Sequence, residues 1–359
     1  LVVSLTILSC RNIWSSQQSR VAEEPVVKVG ESVCAIACAD VTNDRNWAVC
    51  YSCKCKEAFD GRLPKAEDLQ CAKGKELEIF RIEKRSGVPR LVKVTEEVEE
   101  CLNPDRLRNH CTPGSRLRQH IDGDHVFKVI CKRETHVADY KNLDRAFDET
   151  GIIAYNMNNG AACFWDDMDN VVNGTNNPEI DLTDGDPAKI DRFLATYYRH
   201  EGAECVSCHD NDPFIYDPHF ATAEWYTSMR ITLGPYWRVN TAGTKASVTK
   251  HLTAEKADAC TACHRISQGG TCDRWALDSM GFSQIVNMQK VATRAGGEWG
   301  NFVDNGIKWS FPYWMPDHNY MRKTRPLPAT EEAWTAQYGE AMEEVKRCCA
   351  QPDAAGCTW

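Results

Sequence analysis

Residues 205–220, CVSCHDNDPFIYDPHF, place two cysteines and a histidine within five residues and carry a second histidine near their end. Cys205, Cys208 and His209 form the pattern C-x-x-C-H, and His219 follows ten residues later. Three kinds of site use such a pattern: half of a zinc site, a redox-active dithiol, or an attachment point for covalent haem. The rest of the sequence is needed to choose among these three kinds of site.

The same pattern recurs once, 55 residues further along, as Cys260, Cys263 and His264 in the sequence CTACH. Two thiols separated by two residues can add to the two vinyl groups of one haem, and the adjacent histidine then becomes the proximal iron ligand. Each motif is therefore a complete candidate site for one covalent haem c, with His209 and His264 as iron ligands.

The two alternative chemistries explain this repeat less well. A zinc site built from both cysteine pairs would join ligands with 51 residues between them, beyond the usual ribbon spacing, and would leave two equivalent histidines unexplained. A thioredoxin-like dithiol is expected once, at a helix N-terminus in a βαβ unit, and the sequence predicts no such unit. The repeat therefore favours two covalently bound haems.

Cysteine usage indicates export, because 19 cysteines in 359 residues would be prone to oxidation in a reducing cytosol. The apolar start, LVVSLTILSC, is typical of the end of a signal peptide, and no other stretch predicts a transmembrane helix. We therefore expect a periplasmic or cell-surface protein. ILSC also resembles a bacterial lipobox, so the sequence predicts either a lipid anchor at Cys10 or an ordinary cleaved signal.

The remaining cysteines predict disulfides. Without Cys10 and the four motif cysteines, 14 of the 19 are left, an even number that makes seven bridges. Zinc binding by CYSCKC, residues 50–55, is the alternative, but no histidine lies near it. Cys348 and Cys349 are expected to pair with different partners, because a bridge between neighbours would be strained. The 14 are Cys34, Cys38, Cys50, Cys53, Cys55, Cys71, Cys101, Cys111, Cys131, Cys163, Cys272, Cys348, Cys349 and Cys357.

Before the motifs, the sequence predicts mainly β-structure. Alternating apolar residues predict strands in NWAVCYSCKC, residues 46–55, and in HVFKVIC, residues 125–131. The run LEIFRIEKRSGVPRLVKV predicts a hairpin that turns at Ser86 and Gly87.

Near the motifs, the sequence predicts helices. Asp186 is a predicted N-cap, with Pro187 at the first helical position, and Thr253 is a predicted N-cap for a helix leading into the second motif. A third predicted helix starts at Thr330 and stops before Pro352.

A chain of this length can hold two domains. The predicted division is a signal remnant or lipoprotein tether in residues 1–20, a disulfide-rich module in 21–165, an Asn-, Asp- and Gly-rich linker or loop in 166–186, and a dihaem domain in 187–359. The net charge of −9 is spread along the chain without a run of Lys and Arg, which argues against nucleic acid as a partner.

The paired motifs resemble those of dihaem c-type cytochromes. More closely, CVSCHDNDPFI, CTACHRIS followed by Thr271 and Cys272, and WMP ahead of a cysteine-terminated helix are similar to exported, largely uncharacterised bacterial cytochrome c-like proteins. The resemblance covers about residues 160–359 and implies haem attachment outside the cytoplasm. The predicted fold class is α+β: an N-terminal disulfide-rich, β-containing module followed by a mainly α-helical, cytochrome c-like dihaem domain.

Two classes of function follow from two haems. In an electron carrier both irons are six-coordinate and exchange electrons with redox partner proteins, whereas a haem enzyme such as a dihaem peroxidase keeps one iron position open. The sequence favours the carrier, since it shows no clear distal catalytic pair and we predict no catalytic residue. With only 55 residues between the motifs, both haems are expected to share one domain and to exchange electrons.

A carrier needs a sixth ligand on each iron. The two main candidates are Met315, in FPYWMPDH, and His219, which lies beyond a proline and two aromatic residues that could turn the chain back towards the iron. Each has a structural alternative, since Met315 can be a gap-filling core residue and His219 a surface residue after a proline. The other candidates are His318, His251 and His200.

Overall fold

The computed structural model describes residues 32–86, 88–98, 101, 111–133, 141–166, 172–199, 205, 209, 212–214, 219, 236–242, 251–261, 265–268, 272, 301–304, 307–310 and 331–359. The chain divides into two units, Leu1–Ser32 and Val33–Trp359. The predicted signal remnant or tether and its Cys10 lie outside the described residues.

The second unit contains both helices and strands. The described α-helices are α1 (Val33–Ala39), α2 (Asp44–Ala58), α3 (Pro187–Leu194), α4 (Asp258–Thr261) and α5 (Glu331–Ala350). The described strands are β1 (Lys75–Glu76), β2 (Phe80–Arg85), β3 (Val88–Lys93), β4 (Arg116–Asp122), β5 (His125–Lys132), β6 (Glu149–Asn156), β7 (Ala161–Asp166), β8 (Trp237–Arg238), β9 (Asn301–Asp304) and β10 (Ile307–Ser310). None of these helices has the length and hydrophobicity needed to cross a bilayer.

A mixed six-stranded sheet with the strand order β1-β4-β5-β6-β7-β8 organises this unit. Neighbouring strands from β1 to β7 are antiparallel, and β8 pairs with β7 in parallel. The strand predicted at residues 125–131 is confirmed as β5. The hairpin predicted around Ser86 is also confirmed, since β2 pairs with β3 and Ser86 has the positive φ of 54° that a tight hairpin turn requires.

The mainly α-helical, cytochrome c-like domain predicted for residues 187–359 is wrong. The structure is α+β, and β8, from within that range, extends the mixed sheet through pairs that join Trp237 to Ala161 and Arg238 to Ala162. β9 and β10 form a further hairpin, while α3 and α4 have only 8 and 4 residues. The resemblance implied a mainly helical domain, whereas part of this range pairs as strands, whose backbone groups are satisfied by long-range hydrogen bonds.

The strand predicted at residues 46–55 is also wrong, because this segment lies within helix α2. Asn43 caps the helix by accepting a hydrogen bond from the backbone N–H of Asn46 at 2.9 Å. Residues 47–52 are all buried, so α2 is covered around most of its circumference. A helix buried on nearly every side has no polar face, which hides its 3.6-residue period in the sequence.

The helix predicted at Pro187 is confirmed at its start, since Asp186 accepts a hydrogen bond from the backbone N–H of Ala188 at 2.9 Å. This helix, α3, ends at Leu194. Tyr197 nevertheless stays buried one turn further on, where its N–H donates to the carbonyl of Phe193 at 2.7 Å.

Thr253 does not cap a helix as predicted. Its backbone N–H and its hydroxyl bond to Thr358 at the C-terminal end of the chain, and a 3₁₀ turn at Glu255–Ala257 leads into the short α4 instead. The third predicted helix is confirmed as α5, which ends at Ala350, before Pro352.

The seven predicted disulfides are confirmed, and they use the 14 cysteines that the sequence assigned to bridges. Cys348 and Cys349 have different partners, as expected, because adjacent side chains on a helix point in different directions. The bridges are Cys34–Cys53, Cys38–Cys50, Cys55–Cys163, Cys71–Cys131, Cys101–Cys111, Cys272–Cys349 and Cys348–Cys357.

The main core lies between one face of the sheet and helices α1, α2 and α3. Alternate strand residues, among them Phe127, Ile152 and Trp165, face this core. Residues 172–186 form no helix or strand but supply buried apolar side chains to the same core, including Ile180 and Leu182. The domain boundary placed in residues 166–186 stays a prediction.

Candidate functional site

The structure describes part of each cysteine–histidine motif. Cys205, His209, His219, His251 and Cys260 are described. Cys208, Cys263, His264, Met315, His200 and His318 lie outside the described residues.

The first motif lies against the sheet face opposite the helices. Because strand residues alternate, the neighbours of the core-facing residues form a second apolar cluster, to which Phe214 and Tyr236 are added from beyond the strands. Cys205 is partly buried against this cluster. We call it the motif face; its buried members are Val126, Tyr155, Ala162, Phe164, Phe214 and Tyr236.

A backbone hydrogen bond links Cys205 to His209. The backbone N–H of His209 donates to the carbonyl oxygen of Cys205 at 2.8 Å. This bond holds the backbones of the two described residues of the first motif close together.

The position of His209 is supported by two aromatic residues of the motif face. The His209 ring lies 6.2 Å from the ring of Phe164, centroid to centroid. The hydroxyl of Tyr236 donates to the carbonyl oxygen of His209 at 2.5 Å. Tyr236 directly precedes β8, so the strand that the sequence did not predict also anchors the first motif.

The second motif begins in a separate apolar cluster. Cys260 lies on α4, is only 1% exposed and packs with Leu252, Ile266 and residues of α5. The bridges Cys272–Cys349 and Cys348–Cys357 hold α5 in this cluster. The chain segments on the two sides of the motif pair with each other, since the N–H of Leu252 donates to the carbonyl of Ile266 at 2.7 Å.

A buried ion pair joins the segments that follow the two motifs. Asp212 lies three residues after His209, and Arg265 directly follows the second motif in sequence. One carboxylate oxygen of Asp212 accepts from the backbone N–H of Arg265 at 2.8 Å, and the other lies 3.7 Å from the Arg265 Nε. Both side chains are buried, at 7% and 9% exposure. The two motifs, 55 residues apart in sequence, are therefore linked in the fold.

The ion pair acts electrostatically on two neighbouring groups. Burial raises the pKa of Tyr155 to about 12, while the charge of Arg265 lowers it and that of Asp212 raises it. Burial lowers the pKa of His251, and the positive charge of Arg265 lowers it further. The charge of Arg265 therefore acts on a residue of the motif face, Tyr155, and on His251, which directly precedes Leu252 in sequence.

Among the proposed sixth ligands, His219 is 1% exposed, so the alternative of a surface histidine is wrong for it. His251 is exposed, and its backbone pairs with Ser267.

Sequence reasoning missed Asp212, Arg265, Tyr155 and Tyr236. The available signal was weak: Asp212 and Arg265 are charged residues close to the two motifs. The two tyrosines come from distant parts of the chain.

The described residues of the first motif fit a covalently attached haem. A backbone hydrogen bond links the two residues that carry the thiol and the imidazole, and an apolar, aromatic cluster lies beside them, as cofactor sites require. In the described ranges, no group of three His, Cys, Asp or Glu side chains is arranged to hold a metal ion.

Comparisons with known proteins find no matching family profile, no similar curated protein and no similar solved structure.

Proposed function

We propose that this protein is an exported electron carrier that binds two haems covalently, one through Cys205 and Cys208 and one through Cys260 and Cys263. The observation that carries the proposal is the backbone hydrogen bond that joins Cys205 to His209 beside the apolar motif face, in a motif that the sequence repeats. A haem bound there supplies one-electron redox chemistry.

The described residues of the chain would act on the first haem in three ways. Cys205 would hold one edge of the ring through a thioether bond, and His209 would be the proximal iron ligand. Tyr236 would restrain the imidazole through its 2.5 Å bond to the His209 carbonyl. The motif face would exclude water from the ring, which is one of the ways a protein tunes a haem potential.

The disulfides support export. Bridges of this number are typical of oxidising compartments, and c-type haem attachment is expected there too. Lipid attachment at Cys10 and ordinary signal cleavage are both compatible with this location.

The burial of His219 supports it as a sixth ligand, because a buried imidazole at 1% exposure can reach an iron from inside the protein. Met315 stays the second candidate. Carrier function requires that both irons have a sixth ligand.

The test is the mass of the denatured, non-reduced protein purified from a host with a c-type haem attachment system. We expect the polypeptide plus two haems. The double variant Cys205→Ser/Cys208→Ser should keep one haem, and Cys101→Ser/Cys111→Ser, which removes a bridge in a different apolar cluster from those of the two motifs, should keep two. A polypeptide without haem, or with zinc, would overturn the proposal.

Optical and paramagnetic-resonance spectra then distinguish a carrier from an enzyme. Low-spin signals from both haems that cyanide and peroxide leave unchanged support the carrier. A high-spin haem that binds these small molecules refutes it in favour of a peroxidase-like enzyme. In the variant His219→Ala, one haem should become high-spin; an unchanged spectrum removes His219 as a ligand.

A further inference from the structure

The strongest unexplained feature near the motifs is the buried Asp212–Arg265 pair. Burying two charges is costly, and a buried ion pair contributes little net stability compared with well-packed apolar residues. The fold nevertheless places both charges within the interior, with their side chains at 7% and 9% exposure. Such a pair is best explained by what its charges or its geometry do for neighbouring groups.

The geometry of the pair is specific. Asp212 contacts both the backbone N–H of Arg265, at 2.8 Å, and its side chain, at 3.7 Å from Nε. The backbone contact ties Asp212 to the residue that immediately follows the second motif, whatever the rotamer of the arginine. The next residues, Pro213 and Phe214, lead into the motif face, where the ring of Phe214 lies 6.2 Å from that of Tyr155.

We propose that Asp212 and Arg265 are positioning residues that lock the two C-x-x-C-H motifs together, and that their opposite charges tune the reduction potentials of the haems bound there. The proposal rests on the proposed function. It assigns a role to two residues that lie outside the motifs themselves.

Electrostatics predicts the sign of each effect. Reduction adds an electron to the haem, so a nearby positive charge stabilises the reduced form and a nearby negative charge destabilises it. In a buried, low-dielectric site this interaction is screened less than at the surface. Removing the charge of Arg265 should therefore lower the haem potentials, and removing the charge of Asp212 should raise them.

A merely structural role predicts a different pattern. If the pair only held the fold together, either variant would loosen the site and admit water, and both variants would shift the potentials in the same direction. Shifts of the haem potentials in opposite directions in the two variants therefore indicate an effect of charge.

The experiment is an anaerobic spectroelectrochemical titration of the full-length haem protein and of the variants Arg265→Gln and Asp212→Asn. Arg265→Lys, which keeps the positive charge, is the matched control. We expect a downward shift in Arg265→Gln, an upward shift in Asp212→Asn, and a smaller shift in Arg265→Lys than in Arg265→Gln. Shifts of the same sign in the two neutralising variants would overturn the inference while leaving haem attachment intact.

A single variant can fail to fold, because it leaves one buried charge unpaired. The double variant Asp212→Asn/Arg265→Gln has no such charge, and its two electrostatic effects should largely cancel, giving potentials between those expected for the single variants. Potentials of the double variant that are clearly shifted from those of the wild-type protein would overturn the inference. Absence of covalent haem from the wild-type protein would overturn both the inference and the proposed function.

Discussion

Removing the Cys55–Cys163 bridge tests how the main core is held together. This bridge joins α2 to β7 across the core, and its cysteines are 108 residues apart in sequence. The Cys71–Cys131 bridge lies inside that loop, so the free chain in the unfolded protein runs only from Cys55 to Cys71 and from Cys131 to Cys163, about 50 residues.

Closing a loop of about 50 residues lowers the entropy of the unfolded chain enough to contribute about 4 kcal/mol to the free energy of unfolding at 25 °C. The Cys348–Cys357 bridge, with a separation of 9 residues, is the matched control and should contribute about 2.7 kcal/mol. We therefore expect Cys55→Ala/Cys163→Ala to be less stable than Cys348→Ala/Cys357→Ala by about 1.3 kcal/mol. Loss of two fully buried sulfurs, those of Cys55 and Cys163, acts in the same direction.

The assay is equilibrium unfolding in urea without reductant, followed by far-ultraviolet circular dichroism. The remaining six bridges must be intact in both variants, which mass spectrometry of non-reduced digests checks. Equal stability of the two variants, or lower stability of the control, would refute the argument that the larger loop makes Cys55–Cys163 the more stabilising bridge.

Three further predictions concern single residues. Asn43→Ala should cost about 1 kcal/mol in urea unfolding through loss of the α2 cap, whereas Asn43→Asp should retain most of it. Phe193→Ala should cost about 3–5 kcal/mol, because this ring is fully buried, and Phe193→Leu clearly less. Burial raises the pKa of Asp181, but hydrogen bonds from Lys56 and Thr183 outweigh burial and keep it below 3.8. Asp181→Asn should therefore be destabilised relative to wild type above about pH 4, and the difference should vanish as the pH falls through the lowered pKa; a pH-independent difference would contradict this.

The features that the sequence predicted correctly depend on a few neighbouring residues. The hairpin at Ser86 and the cap at Asp186 follow from turn and capping chemistry, which acts over two to four positions. The number of bridges followed from counting, once the four motif cysteines were set apart. The separate partners of Cys348 and Cys349 followed from the geometry of adjacent residues.

The features that the sequence could not supply depend on residues far apart in the chain. α2 was mistaken for a strand because burial on most of its circumference, by the sheet and by α1 and α3, removed its polar face. β8 has only two residues, and its identity as a strand comes from pairing with β7 rather than from its own pattern.

The sequence by itself determined which residues could carry the chemistry, because C-x-x-C-H is a local pattern whose spacing is set by covalent geometry. Only the tertiary structure decided what surrounds them: an apolar sheet face beside Cys205 and His209, and an ion pair between Asp212 and Arg265. A contact between residues 53 positions apart is fixed by packing and by the requirement that buried charges be paired. Neither of these produces a periodic pattern in the sequence.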